Sequence, residues 1–136
     1  MGLVRTKITL KNVADEIRAK DGNIKEEEIR QATINALVDT GSWILVINEE
    51  LREELGLGTL KKQVGILANG AGEEYSLAGP VEIWWKNRSV FGEALVIPSA
   101  KEVLLGALPL QGLDLVVDPF KEEVVGAHGD ERVYRV

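Results

Sequence analysis

The sequence predicts an all-β fold, and three observations support this. Short apolar segments with the two-residue alternation of strands recur along the 136 residues. Turn signals built from Gly, Pro, Asn and Asp separate these segments at intervals of roughly ten residues. Segments with helical periodicity are few and short. A barrel or sandwich of roughly seven or more strands with one or two short helices is therefore expected.

Length and composition predict one soluble globular domain, residues 1–136. Twenty-two Asp and Glu against sixteen Lys and Arg give a net charge of -6, which opposes attraction to nucleic acid or an anionic membrane surface. The chain has no cysteine and one histidine, so thiolate chemistry and multi-His or Cys metal sites are excluded. We expect no metal, no cofactor and no nucleic-acid or membrane partner.

The longest apolar runs fall far short of the roughly 18 residues that a membrane-spanning helix needs. The first residues also lack the long apolar core of a secretory signal. A cytoplasmic location is therefore expected.

Two strands are predicted before the first motif, at residues 3–10 and 29–38. The polar and ionic stretch 11–30 between them, with Asn12 as a candidate N-cap, predicts a solvated helix or excursion. A further apolar run at residues 44–47 follows closely after residue 38. Asp39-Thr40-Gly41 is thus expected on a turn between two buried strands.

A short helix and a hairpin come next. Asn48 suits the N-cap of a helix over residues 49–55, and Gly56 can end it. Strand-like runs at 61–68 and 73–85 flank Asn69-Gly70-Ala71-Gly72, and Asn-Gly is a strong hairpin signal.

The remaining elements are short. We expect a strand at 89–97, a helical turn at 108–113, and strands at 113–117 and 123–125. Asp118-Pro119 ends the first of these last two strands. An apolar-apolar-Gly element, Leu104-Leu105-Gly106, precedes the helical turn.

The order of these motifs carries a family resemblance. Ala36-Leu37-Val38-Asp39-Thr40-Gly41-Ser42, a glycine-tipped hairpin and Leu104-Leu105-Gly106 follow one another. This order resembles the retropepsin-like, or retroviral-type, aspartic proteases, and more narrowly their small single-domain bacterial members. The resemblance covers about residues 29–120. It implies a closed acid-protease barrel with a flap hairpin, and the activity of an aspartic endopeptidase.

The resemblance also implies catalytic roles for Asp39, Thr40 and Gly41. Two aspartates within hydrogen-bond distance share one proton, and together they activate a water that attacks a peptide carbonyl. Gly41 would let substrate and water approach the carboxylates closely. In the family, the threonine at the position of Thr40 braces the two active-site loops.

The chain contains only one such motif. Asp114 and Asp118 are not followed by the Thr/Ser-Gly that a second loop would need, and both suit turn or capping roles. Within the family resemblance, a complete dyad therefore implies a homodimer in which each copy supplies one Asp39.

Substrate-binding residues are also expected from the resemblance. The flap around Ala68, Asn69, Gly70, Ala71 and Gly72 would close over an extended peptide or protein substrate. Ser42 stands where retroviral members usually have alanine, and its hydroxyl could hydrogen-bond the ionised Asp39.

One departure from the family pattern leaves alternatives open. Trp43 is bulky where a small hydroxyl residue is common, and it could crowd the loop or pack between subunits. A non-catalytic β-barrel that binds peptides or holds a complex together is the main alternative function. A small-ligand barrel in which Asp-Thr-Gly is merely a tight turn is a weaker one.

Overall fold

The computed structural model describes residues 3–66 and 69–133, and strands dominate them. The strands are β1 (Arg5–Asn12), β2 (Gln31–Val38), β3 (Leu45–Ile47), β4 (Gly58–Ile66), β5 (Gly72–Trp85), β6 (Arg88–Val96), β7 (Leu104–Leu105), β8 (Leu115–Asp118) and β9 (Glu123–Gly126). The helices are α1 (Val13–Lys20), α2 (Glu49–Leu55) and α3 (Ala107–Gly112), with a 3₁₀ turn at Glu26–Glu28.

Seven strands form one sheet that closes on itself. The order is β1-β2-β7-β3-β6-β5-β4, and β5 also pairs with β1. The long strand β5 makes this closure possible, because its first half pairs with β4 and its second half pairs with β1. The pairs β2–β7 and β3–β6 are parallel, and the other pairs are antiparallel. The strands β8 and β9 form a separate two-stranded sheet.

The hydrophobic core fills the inside of this ring. Strands, α2 and α3 all contribute side chains to it, and burying each large aliphatic side chain stabilises the fold by about 1.5–3 kcal/mol. The largest fully buried side chains are Ile8, Leu10, Leu45, Ile47, Leu55, Leu57, Val81, Ile83, Leu105 and Leu113.

The charged segment before β2 is anchored to the ring. Asn12 caps α1 by accepting a hydrogen bond from the backbone N–H of Asp15 (3.0 Å). The buried carboxylate of Asp15 in turn accepts hydrogen bonds from Nε (2.8 Å), Nη2 (3.0 Å) and the backbone N–H (3.0 Å) of Arg30. These bonds lower the pKa of Asp15 to about 2. They tether α1 to the residue just before β2.

The predicted all-β class is confirmed, with three differences in detail. The ring is not a clean barrel, because β4 extends beyond it and the β8–β9 hairpin is separate. The described residues hold three α-helices rather than one or two, since the solvated helix or excursion expected within residues 11–30 forms α1 and the 3₁₀ turn. The Leu-Leu-Gly element also forms a strand, β7, whose two residues are too few to show an alternation.

Candidate active site

Asp39 is the first residue after β2. Its backbone N–H donates to the carbonyl of Leu105 (3.0 Å), so Asp39 extends the parallel pairing of β2 with β7. The residue is half-buried, and its Oδ1 accepts a hydrogen bond from the N–H of Gly41 (3.0 Å). Its carbonyl accepts a second one from the N–H of Ser42 (3.0 Å). The motif is therefore a tight turn with its carboxylate held by the backbone.

The start of α3 holds this loop from the other side. The N–H of Ala107 donates to the carbonyl of Ser42 (2.8 Å), and the N–H of Leu108 donates to the carbonyl of Trp43 (2.9 Å). The first N–H groups of a helix have no partner inside the helix, and here the loop satisfies two of them. The candidate catalytic loop, defined as residues 39–43, is thus clamped between β7 and α3.

Two glycines allow these close contacts. A Cβ on Gly106 would lie 2.4 Å from the carbonyl oxygen of Ile44 and 2.6 Å from that of Ser42, both of them backbone atoms that cannot swing away. A Cβ on Gly41 would lie 3.2 Å from Oδ1 of Asp39. The sequence pointed to Gly106 through its motif, but only the structure shows that it touches the loop.

The side chain of Ser42 does not point as expected, and those of Thr40 and Trp43 are exposed. The Ser42 hydroxyl donates to the carbonyl of Ile44 (3.1 Å), so its proton is not directed at Asp39 as expected. The physical reason is that the tight turn brings a backbone acceptor within reach of Oγ. Thr40 is exposed, and Trp43 is 68% exposed rather than packed in the fold.

The predicted hairpin around residues 68–72 is confirmed. Strands β4 and β5 pair antiparallel from Gly58↔Gly79 to Ile66↔Gly72. At the tip, Oδ1 of Asn69 accepts a hydrogen bond from the N–H of Ala71 (2.9 Å), and Gly70 has a φ of 84°, which favours glycine. Ala68 lies outside the described residues. The role of this hairpin as a flap stays a prediction.

The two other candidate aspartates have structural partners. Asp114 Oδ2 lies 2.7 Å from Nδ1 of His128, a contact that lowers the pKa of Asp114. Asp118 accepts hydrogen bonds from the N–H groups of Phe120 (2.9 Å) and Lys121 (3.2 Å), which closes the β8–β9 turn. Across residues 3–66 and 69–133, no group of three or more His, Asp or Glu side chains is placed to hold a metal ion.

Comparison with known proteins now decides the family. Residues 26–107, more than half of the chain, match the sequence model of a family described as aspartyl protease. The chain belongs to the aspartyl protease family. The match includes both the Asp-Thr-Gly loop and the Leu-Leu-Gly element that clamps it, and the resemblance predicted from these motifs is confirmed.

The structure of this aspartyl protease is also similar to that of a viral protease. The solution structure of the simian foamy virus (mac) protease is similar over 58% of this chain and 81% of its own, with 18% identity and a TM-score of 0.45. No curated protein sequence matches the chain. No helix within the described residues is both long enough and apolar enough to cross a membrane.

Proposed function

We propose that this aspartyl protease is a homodimeric endopeptidase whose active site contains one Asp39 from each copy. One observation carries the proposal. Within the described residues, the Asp39 carboxylate receives its hydrogen bond from its own loop, whereas Asp114 contacts His128 and Asp118 is held in the β8–β9 turn with no Thr-Gly or Ser-Gly after it. The half-buried Asp39 and the exposed Thr40 leave the loop open to a second copy. A dyad with two-fold symmetry requires that opening.

The chemistry of such a dyad follows from the charges. Two carboxylates in contact cannot both ionise, so one holds a proton and the other is a base. The base takes a proton from a water that attacks the peptide carbonyl, while the protonated partner donates to the developing oxyanion. The N–H of Gly41 helps to hold the ionised Asp39 in place. In this proposal Thr40 braces the two loops against each other.

The hairpin β4–β5 is proposed to close over the substrate as a flap. Its tip residues Asn69, Gly70, Ala71 and Gly72, together with Ala68, would donate and accept backbone hydrogen bonds with an extended peptide. Strand β4 is an exposed edge and carries the exposed apolar side chains of Val64 and Ile66. These side chains support binding of apolar peptide residues. Ser42 would contribute to the same cleft from the catalytic loop.

Cleavage of a mixed peptide library by the wild type and by Asp39→Asn tests the proposal. Measured between roughly pH 3 and 7, where a carboxylate dyad shares its proton, the wild type should cleave internal peptide bonds. The variant should lose at least about a thousandfold in kcat/KM, because the shared proton and the base are both lost. Asp21→Asn, at an exposed position after α1, is the matched control and should retain full activity.

The opposite result identifies the alternative. Equal cleavage by the wild type and Asp39→Asn would contradict the proposal. Peptide binding without cleavage by either protein would instead favour the non-catalytic binding module.

A further inference from the structure

An apolar groove lies between α3 and the base of the β4–β5 hairpin. Its volume of about 410 Å³ is in the usual range of ligand pockets. Leu60 and Pro80 line it from the hairpin, and Leu108 and Pro109 line it from α3. Among the described residues, its lining includes none of residues 39–43 and none of the hairpin tip. The groove is therefore a site of its own, beside the candidate catalytic loop.

The groove is open because a glycine takes an inner-face position of β6. Side chains alternate along a strand, so Gly92 lies on the same face as Val90 and Ala94. Its partner across the sheet, Val81, is fully buried. Gly92 itself is exposed, and a Cβ there would meet nothing within 4 Å. The space that a side chain would fill at this position is therefore free for a ligand.

The lining of the groove is mostly apolar. Leu45 and Ile83, which belong to the buried core, line it together with Leu60 and Leu108, which are 51% and 47% exposed. An apolar group that covers these side chains removes them from water, and this favours binding. A large apolar side chain is therefore the group that this groove would bind.

One acidic residue accompanies the apolar lining. Glu93 is the only charged residue of the groove, and among the described residues its half-buried side chain has no hydrogen-bond or ion-pair partner. It lies where a bulge in β5 places Gly79 and Pro80 opposite a single residue of β6. The net charge of -6 also attracts cations to the protein. The groove is therefore complementary to a ligand that is both apolar and cationic.

We propose that this groove is a docking site for a peptide segment in which a large apolar residue adjoins a lysine or an arginine. A peptide is favoured because Leu60 and Leu108 extend the apolar surface out of the groove to solvent. Strand β4 belongs to the proposed flap, and α3 clamps the candidate catalytic loop, so a docked segment would hold the rest of its chain beside the cleft. That this chain is a protein substrate, cleaved at a distance from the segment, rests on the proposed function.

Binding of short peptides to Asp39→Asn tests the docking site without cleavage of the peptide. The acetylated and amidated tetrapeptide Gly-Phe-Lys-Gly, added in a heteronuclear NMR titration, should shift the backbone amide signals of Gly92 and Glu93. Gly-Phe-Gln-Gly should bind about threefold more weakly, because an exposed ion pair contributes modestly to affinity. Gly-Gly-Lys-Gly should bind at least about tenfold more weakly, because it has no apolar side chain to bury.

Two further substitutions in Asp39→Asn locate the site. Gly92→Leu fills the groove with its own side chain and should weaken binding of Gly-Phe-Lys-Gly at least about tenfold. Glu93→Gln should weaken it about threefold and abolish the preference over Gly-Phe-Gln-Gly. Glu50→Gln, at an exposed position of α2 outside the groove, changes the net charge equally and should leave both Kd values unchanged. Far-ultraviolet circular dichroism should show that every variant is folded.

The outcomes separate the docking site from the proposed function. Unchanged binding in folded Gly92→Leu, or an equal effect of Glu93→Gln and Glu50→Gln, would overturn the docking site. Phenethylamine that bound as tightly as the tetrapeptide would assign the groove to a small cationic ligand and overturn peptide docking. Docking without any cleavage by the wild type would support the site and contradict the proposed function. Cleavage by the wild type without peptide binding at Gly92 would overturn the docking site alone.

Discussion

Gly106 holds the candidate catalytic loop in place because it has no side chain. The backbone of residues 42–44 occupies the space where a Cβ would lie. Gly106→Ala must therefore push the loop away from β7 and α3, and it should destabilise the fold by about 3 kcal/mol, the upper end of the usual cost of overpacking. Peptide cleavage should be lost with it. Chemical denaturation and a cleavage assay measure both effects.

Gly92→Ala is the matched control for this substitution. Gly92 lies on an exposed stretch of β6, and a Cβ there meets nothing within 4 Å. It should change the unfolding free energy by less than about 0.5 kcal/mol. Equal effects of the two substitutions would contradict the steric role of Gly106.

Glu16 and Glu82 form a carboxyl pair on the outside of the ring. Burial, followed by the hydrogen bond to Glu82 and its charge, raises the pKa of Glu16 to about 7. Burial alone would raise the pKa of Glu82, but hydrogen bonds from Ser89 (2.7 Å) and Glu16 outweigh it and lower that pKa. The pair thus holds one proton below about pH 7 and begins to lose it at neutral pH, with Lys11 as the nearby positive charge.

This pair predicts how stability depends on pH. Glu16 binds its proton more tightly in the folded state, so its contribution is complete below about pH 4.5 and declines as pH rises through about 7. Glu16→Gln keeps a neutral side chain at every pH. Between pH 5 and 8, the free energy of unfolding of the wild type should therefore fall by on the order of 1 kcal/mol relative to that of Glu16→Gln, allowing for solvent screening.

Urea denaturation at several pH values measures this loss. Glu27→Gln, in the exposed 3₁₀ turn of the same charged segment, should keep the wild-type pH dependence. If the unfolding free energies of the wild type and Glu16→Gln changed equally with pH, the proton shared by Glu16 and Glu82 would be contradicted.

At the scale of elements, the tip of the β4–β5 hairpin depends on one residue with a left-handed backbone. Gly70 has a φ of 84° and open space around it, and Gly22 after α1 has a φ of 80° and equally open space. Valine at either position strains the backbone by a similar amount, roughly 1–2 kcal/mol. Only Gly70→Val should slow peptide cleavage, by roughly tenfold in kcat/KM, because only this glycine is in the proposed lid.

The pairing of these two glycines separates strain from function. Similar losses of stability with unequal losses of activity would support the flap. If Gly22→Val lowered kcat/KM as much as Gly70→Val, the effect would be general destabilisation and the flap role would fail.

At the scale of the whole molecule, the proposed dyad needs two chains for one active site. A roughly ninefold excess of Asp39→Asn, mixed with wild type above the dimer dissociation constant, leaves about one tenth of wild-type chains paired with each other. Activity per wild-type chain should fall to about one tenth, because mixed dimers carry only one catalytic carboxylate. Initial rates of peptide cleavage after subunit exchange measure this.

The control for this mixture is the same excess of Asp21→Asn, which keeps Asp39 and lies at an exposed position after α1. Activity per chain should then stay at the wild-type level, because every dimer carries two catalytic carboxylates. If an excess of Asp39→Asn left the activity per wild-type chain unchanged, each chain would be active on its own.

Local patterns in the sequence determined most of the fold class and the position of the site. The alternation of apolar residues predicted the strands that flank Asp39 and those of the hairpin at residues 69–72, because this pattern is visible in neighbouring positions of the sequence. The Asp-Thr-Gly and Leu-Leu-Gly motifs predicted the family that the match over residues 26–107 confirms.

Only the tertiary structure decided which distant residues meet. Strand β7 is two residues long and exists because β2 and β3 pair with it on either side. The backbone of residues 42–44 packs on Gly106, and Glu16 meets Glu82, although more than sixty residues separate the members of each pair. Such contacts depend on how the ring closes, which no short stretch of sequence encodes.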